Sequence, residues 1–266
     1  MTALWPIAAI FRRDARIALS YRLNALLTVV SSFFSVLLWF FLSQALTPRT
    51  SGWAPGGYFG YVITGTALLY YVNLSLHNFT RKVREDQHAG TLEMLLGSPA
   101  PPFLLLSASI FWDMLVKTLQ VSVFVILALF FGLTLHPGSF WALFVILALT
   151  VIDFMAIGLI AASLLLVFQK GEPVTPFVGA LFALLGGVFF PTKTLPPILE
   201  GASRLIPLPY ALDGLRGVLL YSKGFADVLP SITALLVFAA ILVPLSFGIF
   251  SVCLRAARRC GLLGKY

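Results

Sequence analysis

Residues 24–46 carry no charged side chain, and apolar runs of similar length recur along the chain. A helix needs about 20 mostly apolar residues to cross a bilayer core of roughly 30 Å. Six runs meet or approach that length: residues 24–46, 58–80, 114–135, 140–168, 174–190 and 229–254. Backbone in lipid has no water to bond, so each run must satisfy its own N–H and C=O groups as a helix. Composition agrees. The 266 residues are 59% hydrophobic and only 11% charged, where a soluble domain carries about 25% charged residues. One water-soluble core cannot hide that much apolar surface. The sequence therefore predicts an all-α integral membrane protein of one domain, residues 1–266.

The formal charge of +8 suits anionic headgroups better than nucleic acid, because the basic residues gather at the termini and in a few loops. Residues 4–22 place Leu4, Ala8, Phe11, Ala15 and Ala18 on one helical face and Arg12, Arg13 and Arg16 on the other. That pattern predicts an interfacial helix, with Trp5 as its anchor. Ser43-Gln44-Ala45 has the small-x-small form of a cleavage site. The apolar run before it exceeds the roughly 7–15 residues of a signal core, so it reads as a retained span. If both termini are cytoplasmic, Arg12, Arg13, Arg16, Arg22, Arg81, Lys82, Arg84, Lys170, Arg255, Arg258, Arg259 and Lys265 fall inside. Arg49, Lys193, Arg204, Arg216 and Lys223 then fall outside. The excess inside predicts that orientation and an even number of spans.

Three stretches do not fit plain spans. The third apolar run starts at Phe103, too long for one crossing, and holds Asp113 and Lys117 at a spacing that favours an ion pair. Its first part is expected at the interface. Residues 81–98 read RKVREDQHAGTLEMLLGS, densely charged, with leucines at helical spacing and Pro99 as a stop. They predict a short amphipathic helix on the cytoplasmic side. Residues 191–222 are too apolar for a solvated loop and too long for a turn. Pro196-Pro197 and Pro207-Leu208-Pro209 can each open a short helix. Glu200 with Arg204, and Asp213 with Arg216, are spaced to pair within those helices. The stretch predicts a re-entrant helical hairpin on the outer side.

Catalytic patterns are sparse. His77, His88 and His136 are scattered, and none has a second histidine at metal-ligand spacing. Cys253 and Cys260 suggest neither a disulfide framework nor a metal site. Gly261-Leu262-Leu263-Gly264-Lys265 imitates part of a phosphate loop, but the position of its first glycine holds Arg259. No ATP site, metal or cofactor is expected in this chain. Asp153 is the one acid deep in a span, and an intramembrane acid is a functional candidate by default. The plainer reading is a hydrogen-bonded or hydrated carboxyl that moves no proton. Gly179, Ala183 and Gly187 recur every four residues, a spacing that lets helices approach closely, either within the chain or across a dimer.

Two motifs carry a family resemblance. Glu85 followed by Gly90-Thr91-Leu92-Glu93-Met94-Leu95-Leu96-Gly97-Ser98-Pro99 resembles the coupling-helix segment of ATP-binding-cassette type-2 exporter permeases. Phe190-Pro191, Leu195-Pro196 and Pro207-Leu208-Pro209-Tyr210-Ala211-Leu212-Asp213-Gly214-Leu215-Arg216 resemble that family's outer hairpin. The likeness spans nearly the whole chain: interfacial helix, six spans, coupling helix, re-entrant hairpin. It implies two copies of a separate ATPase, holding ATP and magnesium, docked on Glu85, Asp86, Gly90, Thr91, Leu92, Glu93, Leu95 and Leu96. It also implies a second permease chain, a homodimer, in the inner membrane of a prokaryote. The hairpin residues singled out are Pro191, Pro196, Pro207, Pro209, Asp213 and Arg216. The drug- and lipid-exporting branch is nearer than the polysaccharide branch, so the expected substrate is a lipid, antibiotic or lipid-linked molecule. Export of a polysaccharide or ion by the same family, and an ATP-independent carrier, are the alternatives.

Overall fold

A computed structural model describes residues 22–50, 56–88, 102–136, 138–168 and 174–259. Among these residues the chain is helical with no strand. In chain order the helices are α1 (Arg22–Thr50), α2 (Gly57–His88), α3 (Pro102–Phe130), α4 (Phe140–Phe168), α5 (Val174–Leu185), α6 (Pro197–Ser203), α7 (Pro207–Leu220) and α8 (Leu229–Arg259). Single 3-10 turns at Thr192–Thr194 and Ala226–Val228 precede α6 and α8.

Among the described residues five helices are long and apolar enough to cross a membrane: α1, α2, α3, α4 and α8. The fifth predicted run differs. It is helical for only 12 residues, Val174–Leu185, about 18 Å at 1.5 Å per residue and short of the roughly 30 Å core. Gly186-Gly187 ends it, with Gly187 at φ 79°, a left-handed turn that residues with a Cβ rarely take. The second run agrees with a candidate span of Gly57–Arg81, and α2 continues unbroken beyond it to His88. The third helix starts at Pro102 and ends at Phe130, where a turn at Phe131-Gly132 stops it short of residue 135.

Burial within the bundle follows polarity. Among the five long helices α2 is the most covered, with 67% of its membrane-length window buried against 11% for α8. It also carries Thr64, Thr66, Ser75 and Asn78, all buried. Lipid tails offer such groups no hydrogen bond, so the helix that bears them sits inside the bundle. On one side of α2, Phe59, Ile63 and Ala67 pack with Val36 of α1 and Val121, Phe124 and Ala128 of α3. On the other, Leu68, Val72 and Leu76 join Ile146 and Phe154 of α4, Leu208, Leu212 and Leu215 of α7, and Ile232 and Leu235 of α8. The outward faces of α1 and α8 present Leu26, Phe34, Phe41, Val237 and Ile241, an apolar surface suited to acyl chains.

The two short helices begin where proline allows. Pro197 and Pro207 occupy first-turn positions, where the missing N–H has no intrahelical acceptor anyway. The α3–α4 connection is stitched to the end of α7, with His136 N–H donating to Leu219 O (2.9 Å) and Gly138 N–H to Val218 O (2.9 Å). This fixes α7 beside the starts of α2 and α4.

Candidate functional site

The polar centre of the molecule is Arg216, on α7. An arginine inside the apolar stretch Gly214-Leu215-Arg216-Gly217-Val218-Leu219-Leu220 must find partners or leave the core. It stays, and is 6% exposed. Its Cζ lies 3.4 Å from the centroid of the Tyr61 ring on α2. Its Nη2 donates to Tyr61 O (3.1 Å), Gly187 O (3.0 Å) and Val188 O (3.2 Å). One NH2 group has two hydrogens, so three acceptors must share them. Tyr61 Oη–H adds a bond to Gly187 O at 2.9 Å.

The acceptors explain the placement. When α5 stops at Leu185, the carbonyls beyond it have no helical N–H, and the helix end carries partial negative charge. Gly187 and Val188 are buried, so water is not an easy substitute. The guanidinium fork supplies both the donors and the positive charge. Irregular backbone at this depth is tolerated because protein satisfies it. The expected contact ion pair of Asp213 with Arg216 does not form: Asp213 is exposed, while Arg216 is buried and its Nη2 bonds backbone carbonyls. The Glu200–Arg204 pair does form, at 2.9 Å on the exposed side of α6.

The other hairpin positions serve the backbone. Pro191 O accepts bonds from Thr194 N–H and Thr194 Oγ1–H. Pro196 precedes α6, and Pro207 and Pro209 lie in the first turn of α7. Tyr210 ties the hairpin together by donating to Arg204 O (3.1 Å), and its ring lies 5.8 Å from that of Phe238 on α8.

The small-residue stripe is used within the chain. Gly179 is buried, and a Cβ there would stand 2.9 Å from Asn73 Oδ1 of α2. Ala183 belongs to the core, and Gly187 makes the turn that feeds Arg216. Asp153 on α4 is fully buried, and among the described residues neither carboxyl oxygen has a hydrogen-bond partner. Of its two plainer roles, a hydrogen bond from a neighbouring helix or a hydrated carboxyl, the first is not made there.

At the opposite end of α2, Arg81 Nη2 bonds Asp113 Oδ2 of α3 at 2.5 Å. This corrects the expected Asp113–Lys117 pair. Lys117 Nζ instead donates to Gln120 Oε1 (2.7 Å) and lies 5.7 Å from the centroid of the Tyr70 ring. Within one helix both partners must reach the same side; across two helices Asp113 meets the planar guanidinium of Arg81. Tyr61 and Arg81 are about 30 Å apart along α2 at 1.5 Å per residue, the thickness of a hydrocarbon core. The two polar contacts are therefore separated by about one hydrocarbon thickness.

The profile of the ABC-2 type transporter family matches residues 9–220, most of the chain. The chain belongs to the ABC-2 permeases. It is also similar to the inner membrane transport permease YadH of Escherichia coli K12, at 26% identity over 192 residues, covering 71% of this chain and 74% of that protein. The YadH proteins of Escherichia coli O157:H7 and Shigella flexneri match to the same extent. Permeases of this family form the membrane subunit of an ABC transporter, which agrees with the bundle described above.

Of the docking residues expected in the permease, Glu85 and Asp86 lie on the last turns of α2. Gly90, Thr91, Leu92, Glu93, Leu95 and Leu96 fall outside the described residues, as do the N-terminal residues 4–21 and Cys260. Sequence reasoning reached Arg216 but missed its partners, Tyr61, Gly187 and Val188. The available signals were a lone arginine among leucines and a glycine pair that cuts an apolar run short.

Proposed function

We propose that the permease is the membrane half of an ATP-driven exporter in the inner membrane of a prokaryote, with both termini cytoplasmic. Two copies pair, and two copies of a separate ATPase, carrying ATP and magnesium, dock on residues 81–98. Glu85, Asp86 and Glu93 meet basic groups of the ATPase, and Leu92, Leu95 and Leu96 pack into its groove. A hydrophobic or amphipathic substrate, such as a lipid, antibiotic or lipid-linked molecule, leaves the cytoplasm or inner leaflet.

The observation that carries this reading is the continuity of α2. The helix runs from Gly57, beside the hairpin, through Arg81 at the far edge, and on to His88 inside the charged segment. A force applied to residues 81–98 acts directly on a helix buried on both sides by the rest of the bundle. Membership in the ABC-2 permeases and similarity to an inner membrane transport permease support the same direction.

The test is purification of tagged permease from its native membrane in mild detergent, with mass spectrometry of what accompanies it. A phosphate-loop ATPase in equal amount is the expected companion, and Glu93→Arg loses it while the chain stays in the membrane. A chain that emerges alone from several mild detergents refutes the reading.

A further inference from the structure

Arg216 costs more than its space requires. A buried charge with no carboxylate in ion-pair contact among the described residues is held by carbonyl oxygens and a ring face, and its Nε has no hydrogen-bond partner there. An apolar side chain of similar volume fills such a site without that desolvation cost. What the fork adds is direction. Apolar contacts between helices are non-directional, whereas a stacked guanidinium bonded to named carbonyls fixes one helix against another.

The elements it joins are α2 through Tyr61, the broken end of α5 through Gly187 and Val188, and the hairpin helix α7. α2 has no proline between Gly57 and His88, so it is a stiff rod. Gly65, one turn on from Tyr61, leaves room for the junction: a Cβ there would lie 2.6 Å from Val188 O and 3.0 Å from Arg216 Nη2. The other end of the rod is held to α3 by Arg81 and Asp113.

We infer that Arg216 is a positioning residue that transmits movement of α2 to the hairpin side, so that events at residues 81–98 reach the far edge of the membrane. This rests on the exporter reading above. When α2 shifts, Tyr61 carries the guanidinium, and α7 moves with it. Substrate contact is not part of the role.

The experiment uses the full permease with its co-purified ATPase in nanodiscs, in a Cys253→Ser, Cys260→Ser background. Ser203→Cys, buried at the end of α6, reports the hairpin side; Thr80→Cys, buried near Arg81, reports the other. Labelling rates with a polar maleimide are compared without nucleotide and after trapping with MgATP and vanadate. With Arg216 intact, both rates change on trapping. With Arg216→Met, the Thr80→Cys response and ATP hydrolysis persist, and the Ser203→Cys rate stays at its nucleotide-free value. Gly65→Ala, which wedges the junction while leaving Arg216 in place, gives the same split and serves if Arg216→Met does not fold. Arg216→Lys, keeping the charge but not the planar stack, restores part of the response. A Ser203→Cys response that survives both Arg216→Met and Gly65→Ala overturns the inference, as does one absent from the parent while Thr80→Cys responds. If no ATPase co-purifies and neither site responds, the exporter reading fails first and this inference with it.

Discussion

The crossing of α2 and α4 is set by Gly158, and replacing it with alanine tests the packing. A Cβ at Gly158 would stand 2.6 Å from Ser75 O, 2.9 Å from Leu76 O and 3.2 Å from Leu76 Cα, where ordinary contact begins at 3.4 Å. All three are backbone atoms inside a continuous helix, so no side chain can swing away. The helices must part by most of an ångström. Gaps of about 0.5–1 Å forfeit a quarter to a half of the dispersion attraction, and Leu76 and Phe154, both buried, share the core cluster between these helices. Overpacking of this kind costs about 1–3 kcal/mol, with the upper half expected because both sides are rigid. Gly248 on α8 is the internal control, because a Cβ there meets nothing within 4 Å. Gly248→Ala is expected to stabilise by about 0.4–1 kcal/mol through the unfolded chain. The assay is the thermal midpoint of monodisperse protein in one detergent, read by size exclusion. At about 2–4 °C per kcal/mol for a chain near this length, Gly158→Ala falls several degrees and Gly248→Ala does not fall. Equal midpoints for the two variants, or a Gly158→Ala protein as stable as the parent, would refute the steric reasoning.

Asp153→Ala removes two carboxyl oxygens that have no hydrogen-bond partner among the described residues, so no partner there is orphaned and the variant melts within about 1 kcal/mol of the parent or above it; a loss of several kcal/mol shows that Asp153 holds a group the apolar core needs. The Arg81–Asp113 bridge has side chains 50% and 28% exposed, so a double-mutant cycle with Arg81→Ala and Asp113→Ala returns a coupling of at most about 1 kcal/mol that shrinks in high salt. A salt-insensitive coupling of several kcal/mol would place that bridge in a dry interior instead.

How much was legible in advance varies by element. The apolar runs at residues 24–46, 140–168 and 229–254 became α1, α4 and α8 with small changes at their ends. The prolines at 196, 197 and 207 marked the starts of α6 and α7. These features are local. Helix formation in lipid follows from the run itself, because the backbone must satisfy itself, and a proline restricts its own position. The pairings were less legible. Asp113 sits four residues from Lys117 yet bonds Arg81 across helices, and Asp213 sits three from Arg216 yet the guanidinium bonds backbone carbonyls of other elements. Spacing along one helix says which side chains can meet, not which neighbour offers a better partner.

Apolar runs alone place this chain in a membrane as a bundle of helices, and its motifs point to the ABC-2 permeases. Both are properties of composition and of short contiguous patterns. It takes the packed helices to reveal that α2 is the buried axis of the bundle, that α5 stops at Leu185, and that Arg216 closes the gap by stacking on Tyr61 and bonding Gly187 and Val188. Tyr61 and Arg216 are 155 residues apart. A buried charge takes whatever acceptors the folded chain brings within about 3 Å, and those are fixed by the packing of all the helices together.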